Sequence, residues 1–508
     1  MTHTRVVLLL GLAGIIVMGA IKGFELFTLG QAEKVGTDAR DTKGRILIGV
    51  DSWVGYFPLC SAEMAARLRE DGYLLECVDD KADYGDRYAK LKRGDYSFAV
   101  GTVDSFLVAG EKSQYAGAIV AVIDESKGGD AIVARKSRFA DLESLKGVSS
   151  AAVAFTSDSP SEHLLRAVVS HFDVDALREG NAKQIKTDGA ESALESLDAG
   201  KADIAVLWEP VLTHALKNPD YVQLLSTAET QRIIVDVLIA NLVVAQKQPD
   251  LIRMVLKRYF ETLSFYRDNP EKLQLALMKE YKLKPAQVEK MIAGVSWKSL
   301  AANAREWFGL KREAGQREAL VETIRSALDI LFDHKVFGRN PLPGQDPYRL
   351  LNRMPLESLV NEIGGVEGET EKVTFKELTE QQWGTLVSLG ALKVRPVSFT
   401  LGSSDLTLEG KGVIDELIAN LAHYPRFRVE VRGHSGLMGD AAANKQLSQD
   451  RADSVLRYID VTYGLEPHRW RAVGFGSERP LPKKPGESDR GYGYRLPRVE
   501  MVLLIDET

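Results

Sequence analysis

The sequence has few cysteines and no large excess of charge of either sign. Its 508 residues include two cysteines, Cys60 and Cys77, so neither a disulfide framework nor a CxxC metal motif can form. The two cysteines either pair with each other in an oxidising compartment or remain as buried thiols. With 65 Lys+Arg residues against 71 Asp+Glu residues, the net charge of −6 is too small to attract polyanions. We therefore expect no nucleic-acid partner.

Sequence motifs of catalysis are also missing. We find no nucleophile elbow, no HExxH, no P-loop and no carboxylate pair with a defined role. The sequence therefore predicts a protein that is not an enzyme, with no catalytic residue, no cofactor and no metal site.

A long apolar run lies near the N-terminus. Residues 6–20 are uncharged, with Arg5 before them and Lys22 and Glu25 soon after. A membrane span needs about 20 residues, which the run reaches by extending toward Leu29 while Lys22 and Glu25 lie at the interface. No small-x-small cleavage site or cysteine follows, so we predict an uncleaved inner-membrane helix rather than a signal peptide or a buried soluble helix. Because Arg5 stays inside, the bulk of the chain is expected in the periplasm.

Short apolar strands and helical patterns alternate from Lys43 onward, which is typical of α/β proteins. A second α/β unit begins near Arg135, and helical spacing dominates from Pro249 to about Phe337. Two α/β lobes in series with a return to the first lobe indicate a hinged clamshell. The predicted domains are an anchor and spacer over 1–42, a two-lobed domain over 43–345, a linker and connecting helix over 346–394, and a small α/β domain over 395–508.

Several sequence segments of the two-lobed region occur in the order found in one class of receptors. They are Gly49-Val-Asp-Ser-Trp53, Leu91-Lys-Arg-Gly94, Asp141-Leu-Glu-Ser-Leu-Lys-Gly147, Leu197-Asp-Ala-Gly-Lys-Ala-Asp203, Leu207-Trp-Glu-Pro210 and Asn303-Ala-Arg-Glu-Trp-Phe-Gly309. Together they resemble the periplasmic solute-binding proteins of nitrate, taurine, alkanesulfonate and thiamine-precursor transporters. The resemblance implies a small-molecule solute and an ABC-transporter-like partner in the inner membrane.

The resemblance also implies which loops hold the solute. The candidate solute-binding residues are Trp53, Thr156, Ser157, Asp158, Ser159, Trp208, Glu209 and Asp236. Hydroxyls and free N–H groups at the helix start near Thr156 suit an anion or polar headgroup, although a plain N-cap before Pro160 accounts for the same residues. Both tryptophans are equally compatible with core packing. Acidic residues such as Asp104 and Asp236 would favour a cation if they line the cleft, so the sign of the solute's charge stays open.

The C-terminal region carries a motif with many fixed offsets. It reads Gly433-His434-Ser435, Gly439, Asn444, Leu447-Ser448, Arg451-Ala452, Val455, Gly464, Gly474-Phe475-Gly476 and Arg498-Val499-Glu500. This pattern resembles the OmpA-like peptidoglycan-binding domains over residues 395–505. The resemblance implies a small sheet covered by helices in a βαβαβ-like order.

In OmpA-like domains an arginine matching Arg451 pairs with the diaminopimelate carboxylate of the wall peptide stem, which a guanidinium engages bidentately. Gly436 stands where the family has an aspartate, and Leu496-Pro497-Arg498 replaces its closing Asn-Arg-Arg. Asp440 is a possible substitute for the missing acid, and His434 is expected to be structural. The candidate peptidoglycan-binding residues are Ser435, Gly436, Asp440, Asn444, Leu447, Arg451 and Arg498. A domain that binds something else, or acts structurally, is the alternative.

The sequence as a whole predicts a membrane-tethered periplasmic binding protein anchored to peptidoglycan. The alternative is a structural wall tether, or a motor- or stator-like subunit, whose receptor-like domain mediates protein contacts. Stator helices usually carry an aspartate in the apolar run, and residues 6–20 contain none. This absence counts against ion-driven work.

Overall fold

The computed structural model describes residues 42–310, 318–363, 373–400, 402–464, 466–484 and 486–505. Within these ranges no helix combines the length and the apolar content that crossing a membrane requires. The membrane helix predicted near the N-terminus lies outside the described residues.

The first lobe is built on a mixed sheet whose strands, within the described residues, lie in the order β11-β4-β10-β3-β1-β2. Strands β1, β2 and β3 are parallel, whereas β10 runs antiparallel to both β3 and β4. All ten residues of β4 and all seven of β10 are buried, as expected for central strands covered by helices on both faces. The strands are β1 (Gly44–Val50), β2 (Tyr73–Asp79), β3 (Phe98–Thr102), β4 (Gly117–Ser126), β10 (Val235–Asn241) and β11 (Val295–Trp297).

The second lobe is a separate sheet with the order β7-β6-β8-β5-β9 among the described residues. The chain enters it between β4 and β5 and leaves it between β9 and β10, so two adjacent crossovers form the hinge. The prediction of two α/β lobes with a return to the first is confirmed by this topology. The strands are β5 (Asp130–Arg135), β6 (Ala152–Thr156), β7 (Lys183–Thr187), β8 (Ile204–Trp208) and β9 (Tyr221–Ser226).

Helices cover both sheets and extend beyond them. In the first lobe they are Phe57–Cys60, Ala62–Glu70, Tyr84–Arg93 and Val103–Lys112, with a 3-10 turn at Val54–Tyr56, and in the second lobe Pro160–His171, Ala190–Asp198 and Val211–Ala215. The helical tail comprises Leu242–Lys247, Pro249–Asp268, Pro270–Tyr281, Pro285–Ala293, Leu300–Ala302 and Ala319–Asp333, with a π-helical turn at Asn303–Trp307. Further helices are Met354–Glu362, Glu380–Thr385, Leu408–Leu421, Ala441–Tyr463 and Asp489–Arg495. Helix Ala319–Asp333 packs against helices of both lobes.

The two cysteines form a disulfide bond. It joins the end of helix Phe57–Cys60 to β2, with the Cα atoms of Cys60 and Cys77 5.9 Å apart. Of the two possibilities that the sequence left open, the structure shows the paired one.

The C-terminal domain has a sheet with the order β12-β15-β13-β14 in the part that the structure describes. Its strands are β12 (Val387–Ala391), β13 (Arg428–His434), β14 (Trp470–Gly474) and β15 (Arg498–Ile505). Within the described part of 346–394, for which a linker and a connecting helix were predicted, the α-helices are Met354–Glu362 and Glu380–Thr385. The residues after the latter helix form β12 instead, pairing antiparallel with β15 and thereby extending the sheet edge.

Two glycines of the C-terminal motif let a helix approach the sheet closely. A Cβ at Gly433 would collide with the backbone carbonyl of Ser448, and one at Gly474 would collide with the backbone N of Gln449. Helix Ala441–Tyr463 therefore lies directly against β13 and β14. Its start is thereby fixed relative to the loop that follows β13.

The C-terminal domain docks on the second lobe. Buried residues of both form one continuous apolar core, which includes Phe172 from the lobe and Tyr424 from the domain. Tyr424 Oη lies 2.9 Å from His171 Nδ1. The backbone N of Gln231, in the crossover to β10, donates to the carbonyl of His423 at 2.7 Å. Lobe and domain therefore share an interface that reaches the hinge.

Candidate functional site

The cleft between the lobes is bordered on the first lobe by the loop that follows β1. Arg87, which is fully buried, donates to Asp51 at 3.0 Å and to Asp80 at 2.5 Å. Asp51 also accepts the backbone N–H of Trp53 at 3.0 Å. Burial of Asp80 raises its pKa, against the opposing effect of Arg87. Asp51 is therefore already paired, and its role in this structure is to fix the loop that carries Trp53.

Trp53 and Tyr56 each contact a carboxyl group of the central strands. Trp53, 9% exposed, donates from Nε1 to Asp124 Oδ1 at 3.2 Å. The Tyr56 hydroxyl donates to Asp236 Oδ1. A Cβ at Gly129, in the hinge, would collide with the Trp53 ring, so the indole reaches from the first lobe to the crossover. Trp53 and Asp236, both predicted from the sequence, are brought together here.

Three buried aspartates meet where the strands enter the hinge. Asp124 lies near the end of β4, Asp130 begins β5 and Asp236 is the second residue of β10, and each is at most 4% exposed. Burial raises the pKa of Asp124 and of Asp130 to about 7, in the latter case with added repulsion from Asp104 and Glu209. Burial and then the charge of Asp124 raise the pKa of Asp236 well above its usual value. Ser126 Oγ donates to Asp130 at 2.6 Å.

Asp104 brings a fourth carboxyl to this region from the first lobe. It stands in the first turn of helix Val103–Lys112, is 4% exposed, and its Oδ1 has no hydrogen-bond partner within the described residues. Opposite it, His163 begins the second lobe's helix Pro160–His171 and is 2% exposed. Burial lowers the pKa of His163, whereas the charge of Asp104 acts to raise it. The two helices that carry these side chains pack against each other.

The predicted residues Thr156–Ser159 form the turn between β6 and helix Pro160–His171. Ser159 Oγ accepts from the Ser161 backbone N at 3.2 Å, which is the N-cap arrangement, and the Glu162 carboxylate accepts from the Asp158 backbone N at 2.7 Å. These N–H groups are thus occupied by the chain's own side chains. Thr156 Oγ1, which is buried, and His163 Nδ1 lack a hydrogen-bond partner in the described part of the chain. Ser157 is half-buried and Asp158 is exposed.

The predicted residues Trp208 and Glu209 follow β8. Glu209 is buried and caps the next helix, accepting from Thr213 N at 3.0 Å and from Thr213 Oγ1 at 2.6 Å. Trp208 is half-buried and packs on the second lobe's own apolar cluster. Of this pair, Glu209 is the residue whose charge reaches the cleft, through its effect on the pKa of Asp130.

Sequence reasoning missed Asp124, Asp130 and His163. A signal was present in Asp124-Glu-Ser-Lys-Gly-Gly-Asp130, where three acids and two glycines interrupt two apolar strands. These carboxyl groups lie near the ends of buried strands, beside the crossovers that join the two lobes. Among the described residues, no group of His, Cys, Asp or Glu has an arrangement suited to a metal ion.

The second candidate site surrounds Arg451 in the C-terminal domain. Its guanidinium lies 5.0 Å from the centre of the Phe399 ring, and Nε donates to the Ser403 carbonyl at 3.2 Å. Burial lowers the pKa of Arg451, and no carboxylate pairs with it in the described part of the chain. Asn444, Leu447 and Arg451 recur at helical spacing and so share one face of helix Ala441–Tyr463.

The loop after β13 holds the other predicted wall-binding residues. Asp440 caps helix Ala441–Tyr463 by accepting from Ala443 N at 2.8 Å, and Asn444 Nδ2 donates to the Met438 carbonyl at 3.0 Å. Ser435 N donates to the Gly476 carbonyl at 2.8 Å. A Cβ at Gly436 would have Pro497 Cγ at 4.0 Å, so a side chain fits there. No hydrogen bond links this loop to Arg451 within the described residues.

Arg498 and His434 are held at the edge of the same sheet. Arg498 Nε donates to Glu500 at 2.7 Å, and its NH2 group donates to the Arg479 carbonyl at 3.1 Å. His434 is buried, stacks on Phe475 and lies 3.4 Å from Glu500. Burial acts to raise the pKa of Glu500, but the hydrogen bonds and charges of His434 and Arg498 outweigh this effect and lower the pKa to about 2. Arg498 is therefore paired, in contrast to Arg451.

Comparisons with known proteins agree with the motif of the C-terminal domain. Residues 398–492 match the OmpA family. The chain is 36% identical over 100 residues to outer membrane porin F of Pseudomonas fluorescens, covering 20% of this chain and 30% of that protein. It is 31% identical over 126 residues to the probable lipoprotein YiaD of Escherichia coli K12, covering 23% and 57%. The chain thus spans between about a third and just over half of the length of these relatives.

Solved structures similar to the chain include periplasmic solute-binding proteins. The alkanesulfonate-binding protein SsuA from Xanthomonas axonopodis pv. citri, bound to MOPS, has a TM-score of 0.47 at 14% identity, covering 61% of this chain and 99% of that chain. The nitrate-binding protein NrtA from Synechocystis PCC 6803 has a TM-score of 0.46 at 12% identity, covering 63% and 89%. The chain thus combines two α/β lobes, joined by two crossovers, with a C-terminal region whose residues 398–492 match the OmpA family.

Proposed function

We propose that this protein is a periplasmic receptor that holds a small solute between its two lobes and grips peptidoglycan through its C-terminal domain. The observation that carries the receptor proposal is a set of buried polar atoms without partners on both sides of the cleft. Asp104 Oδ1 lies on the first lobe, and Thr156 Oγ1 and His163 Nδ1 lie on the second, all within the described residues. A buried polar group without a partner costs about 1–3 kcal/mol, so a solute that bonds to both lobes stabilises the closed cleft.

The proposal that the C-terminal domain binds the wall rests on the lack of a carboxylate partner for Arg451 among the described residues. Its half-buried guanidinium keeps donors free, and it shares a helix face with Asn444 and Leu447. A carboxylate of the peptide stem would supply the missing partner and accept two parallel hydrogen bonds. The loop Ser435–Asp440 would border the same ligand from the other side.

The proposed cellular arrangement follows from both ends of the chain. We propose that the N-terminal segment anchors the protein in the inner membrane and that an inner-membrane transporter or another membrane partner receives the solute. The limits predicted from the sequence are 43–345 for the receptor and 395–508 for the wall domain. We propose to extend the receptor through helix Met354–Glu362, whose Leu356 and Leu359 lie in the first-lobe core, and to begin the wall domain before β12, which pairs with β15. Protease added to intact spheroplasts tests this arrangement, because it reaches only the periplasmic face of the inner membrane. Protection of the bulk of the chain until the spheroplasts are lysed would contradict the proposal.

The receptor proposal is tested by ligand-dependent thermal stability of the full chain, purified in detergent. A ligand present at about 100 times its dissociation constant stabilises a protein by about 2.7 kcal/mol. We expect at least one member of a panel of anions, amines and pyrimidines to raise Tm. A flat response across the panel would contradict the receptor and favour the alternative, a structural wall tether whose receptor-like lobes make protein contacts.

The wall proposal is tested by co-sedimentation of the full chain with purified peptidoglycan. A parallel sample uses peptidoglycan from which the peptide stems have been removed, because the proposed contact is with a stem carboxylate. We expect pelleting with intact material and loss of pelleting without stems. Equal pelleting in the two samples would mean that the glycan strands, or nonspecific adhesion, account for binding.

A further inference from the structure

The cleft contains a group of carboxyls whose charge the chain itself does not neutralise. We name Asp104, Asp124, Asp130 and Asp236 the acidic cluster, and each is at most 4% exposed. Within the described residues none of the four is in an ion pair with a lysine, arginine or histidine. Buried acids nearby are treated differently, because Asp51 pairs with Arg87 at 3.0 Å and Glu125 pairs with Lys298 at 3.0 Å.

The four carboxyls form one connected group. Asp124 and Asp236 are direct partners in the β4–β10 pair. In addition to burial, the charges of Asp124 and Asp130 raise the pKa of Asp236, and that of Asp130 raises the pKa of Asp124, whereas a hydrogen bond with Asp236 lowers the pKa of Asp124. Asp104 and Glu209 act in turn on the pKa of Asp130. Lys298 also acts on Asp124 through space, but its ammonium bonds to Glu125. A buried carboxylate must be paired or protonated, so this group either keeps protons or takes a cation from outside.

Buried polar atoms other than carboxylate oxygens also support a ligand site next to the acidic cluster. Thr156 Oγ1 and His163 Nδ1, 8% and 2% exposed as residues, come from the second lobe and lack partners in the described part of the chain. His163 lies on the second lobe's helix Pro160–His171, which packs against the first lobe's helix Val103–Lys112 that carries Asp104. Trp53 and Tyr56 border the cluster through their bonds to Asp124 and Asp236, and aromatic faces attract organic cations.

Resting on the proposed receptor function, we infer that the cleft takes a small organic cation with N–H donors, an amine or an amidinium, which the acidic cluster neutralises between the two lobes. The ammonium hydrogens bond to Asp104 and Asp130, while the hydroxyl of Thr156 and the ring of His163 complete its contacts. Trp53 covers the carbon skeleton. The first and second lobes thereby share one ligand.

The test measures Tm of the full chain in detergent at pH 8 with five probes. They are 1,4-diaminobutane and benzamidine as N–H cations, tetramethylammonium as a cation without N–H donors, and methanesulfonate and nitrate as anions. We expect a saturating N–H cation to raise Tm by at least about 3 °C and the anions to leave it unchanged. Calcium chloride is included because a metal ion that raises Tm in place of the amines would overturn the inference.

Variants locate the effect within the cluster. Asp104→Asn and Asp130→Asn each keep the shape of the side chain, and we expect either to abolish the amine-induced rise. The matched control Asp220→Asn removes a carboxylate from the exposed surface of the second lobe and keeps the full rise. If the amine effect survives in both cluster variants, the amine binds elsewhere and the inference fails. Should a variant fail to fold, the unaltered chain at pH 5 still decides, because protonated carboxyls must weaken the amine effect.

The outcomes separate this inference from the proposed function. If the anions raise Tm and the amines do not, the receptor proposal stands, but the inference of a cationic ligand is wrong. No response to any probe would contradict both proposals. A response to the amines that Asp104→Asn abolishes supports both.

Discussion

The cleft and the wall-binding region leave opposite charges unpaired. In the cleft, buried carboxyls such as Asp104 and Asp130 have no cationic partner among the described residues, whereas in the C-terminal domain Arg451 has no carboxylate. Elsewhere in the same two regions comparable groups are paired, Asp51 with Arg87 and Arg498 with Glu500. The comparison shows that some charged groups in each region are paired within the chain while others nearby are not. The sign of the unpaired groups is the basis of the two proposed ligands, an amine in the cleft and a stem carboxylate at Arg451.

The largest expected effect concerns the pH dependence of the cleft. The pKa of Asp130 is raised from 3.8 to about 7 by burial, so its contribution to stability is present below about pH 4 and is lost as pH rises through 7. The loss amounts to at most about 4 kcal/mol. We expect Asp130→Asn to raise Tm relative to the unaltered chain at pH 8 and not at pH 4. Asp220→Asn is the control, and an equal response of both variants would show that Asp130 carries no buried charge.

The second prediction concerns His423 at the interface between the second lobe and the C-terminal domain, where the expected pH dependence of stability has the opposite direction. Burial lowers the pKa of His423 from 6.5 to about 4, so its contribution is present above pH 6.5 and is lost as pH falls through 4. The maximum loss is about 3 kcal/mol. We expect His423→Gln to reduce the fall in Tm between pH 6.5 and 4.5. The exposed control His214→Gln should leave that fall unchanged, and an unchanged fall in both would remove His423 as its cause.

The third prediction tests the unpaired cation. Arg451→Ala should lower the affinity for peptidoglycan by about 2–3 kcal/mol, or roughly 30- to 150-fold, because truncating one partner leaves the stem carboxylate unpaired. Co-sedimentation over a range of peptidoglycan concentrations measures this affinity. Arg451→Lys should recover part of the affinity without the bidentate geometry. Arg457→Ala changes an exposed arginine on the same helix and should bind as the unaltered chain does. Equal binding by Arg451→Ala would exclude Arg451 from the wall contact.

The smallest expected effect is a gain. Gly436→Asp restores the acid that OmpA-like domains resembling this one carry, and the position has room for it because the nearest atom to a new Cβ is 4.0 Å away. A hydrogen bond to a charged group contributes about 1.5–3 kcal/mol, so wall affinity should rise at least about tenfold. The control Gly412→Asp adds the same charge on another helix. A gain in both would reflect net charge rather than the restored contact.

The sequence predicted the large features of the fold and the C-terminal motif better than it predicted local structure. Alternating apolar strands and helices indicated two lobes because burial on both faces leaves a strong pattern. The residues of the run Leu242–Ala245 are apolar and partly β-branched, so propensity alone favours a strand there. The run is the start of helix Leu242–Lys247, because Asn241 caps two of its N–H groups. A single polar residue thus outweighed the propensity of four apolar ones.

The cleft was harder to predict than the wall-binding region. Arg451 lies within a motif of fixed offsets on one helix, so sequence spacing located it. Asp104, Asp130 and His163 come from three elements of two lobes, and only the packing of those lobes brings them together. Whether an acid such as Asp51 is neutralised by Arg87 depends on contacts between segments far apart in sequence. Spacing along the chain carries no information about such contacts.

The docking of the C-terminal domain on the second lobe has a mechanical consequence. His423 and Gln231 exchange two hydrogen bonds at the hinge, so the second lobe and the wall domain form one body. The first lobe begins at β1, directly after the N-terminal segment. Under the proposed anchoring of that segment in the membrane and of the C-terminal domain on the wall, the cleft would lie in series between the two attachments. A change in the distance between membrane and wall would then pull on the cleft, and its affinity for solute would vary with the tension in the cell envelope.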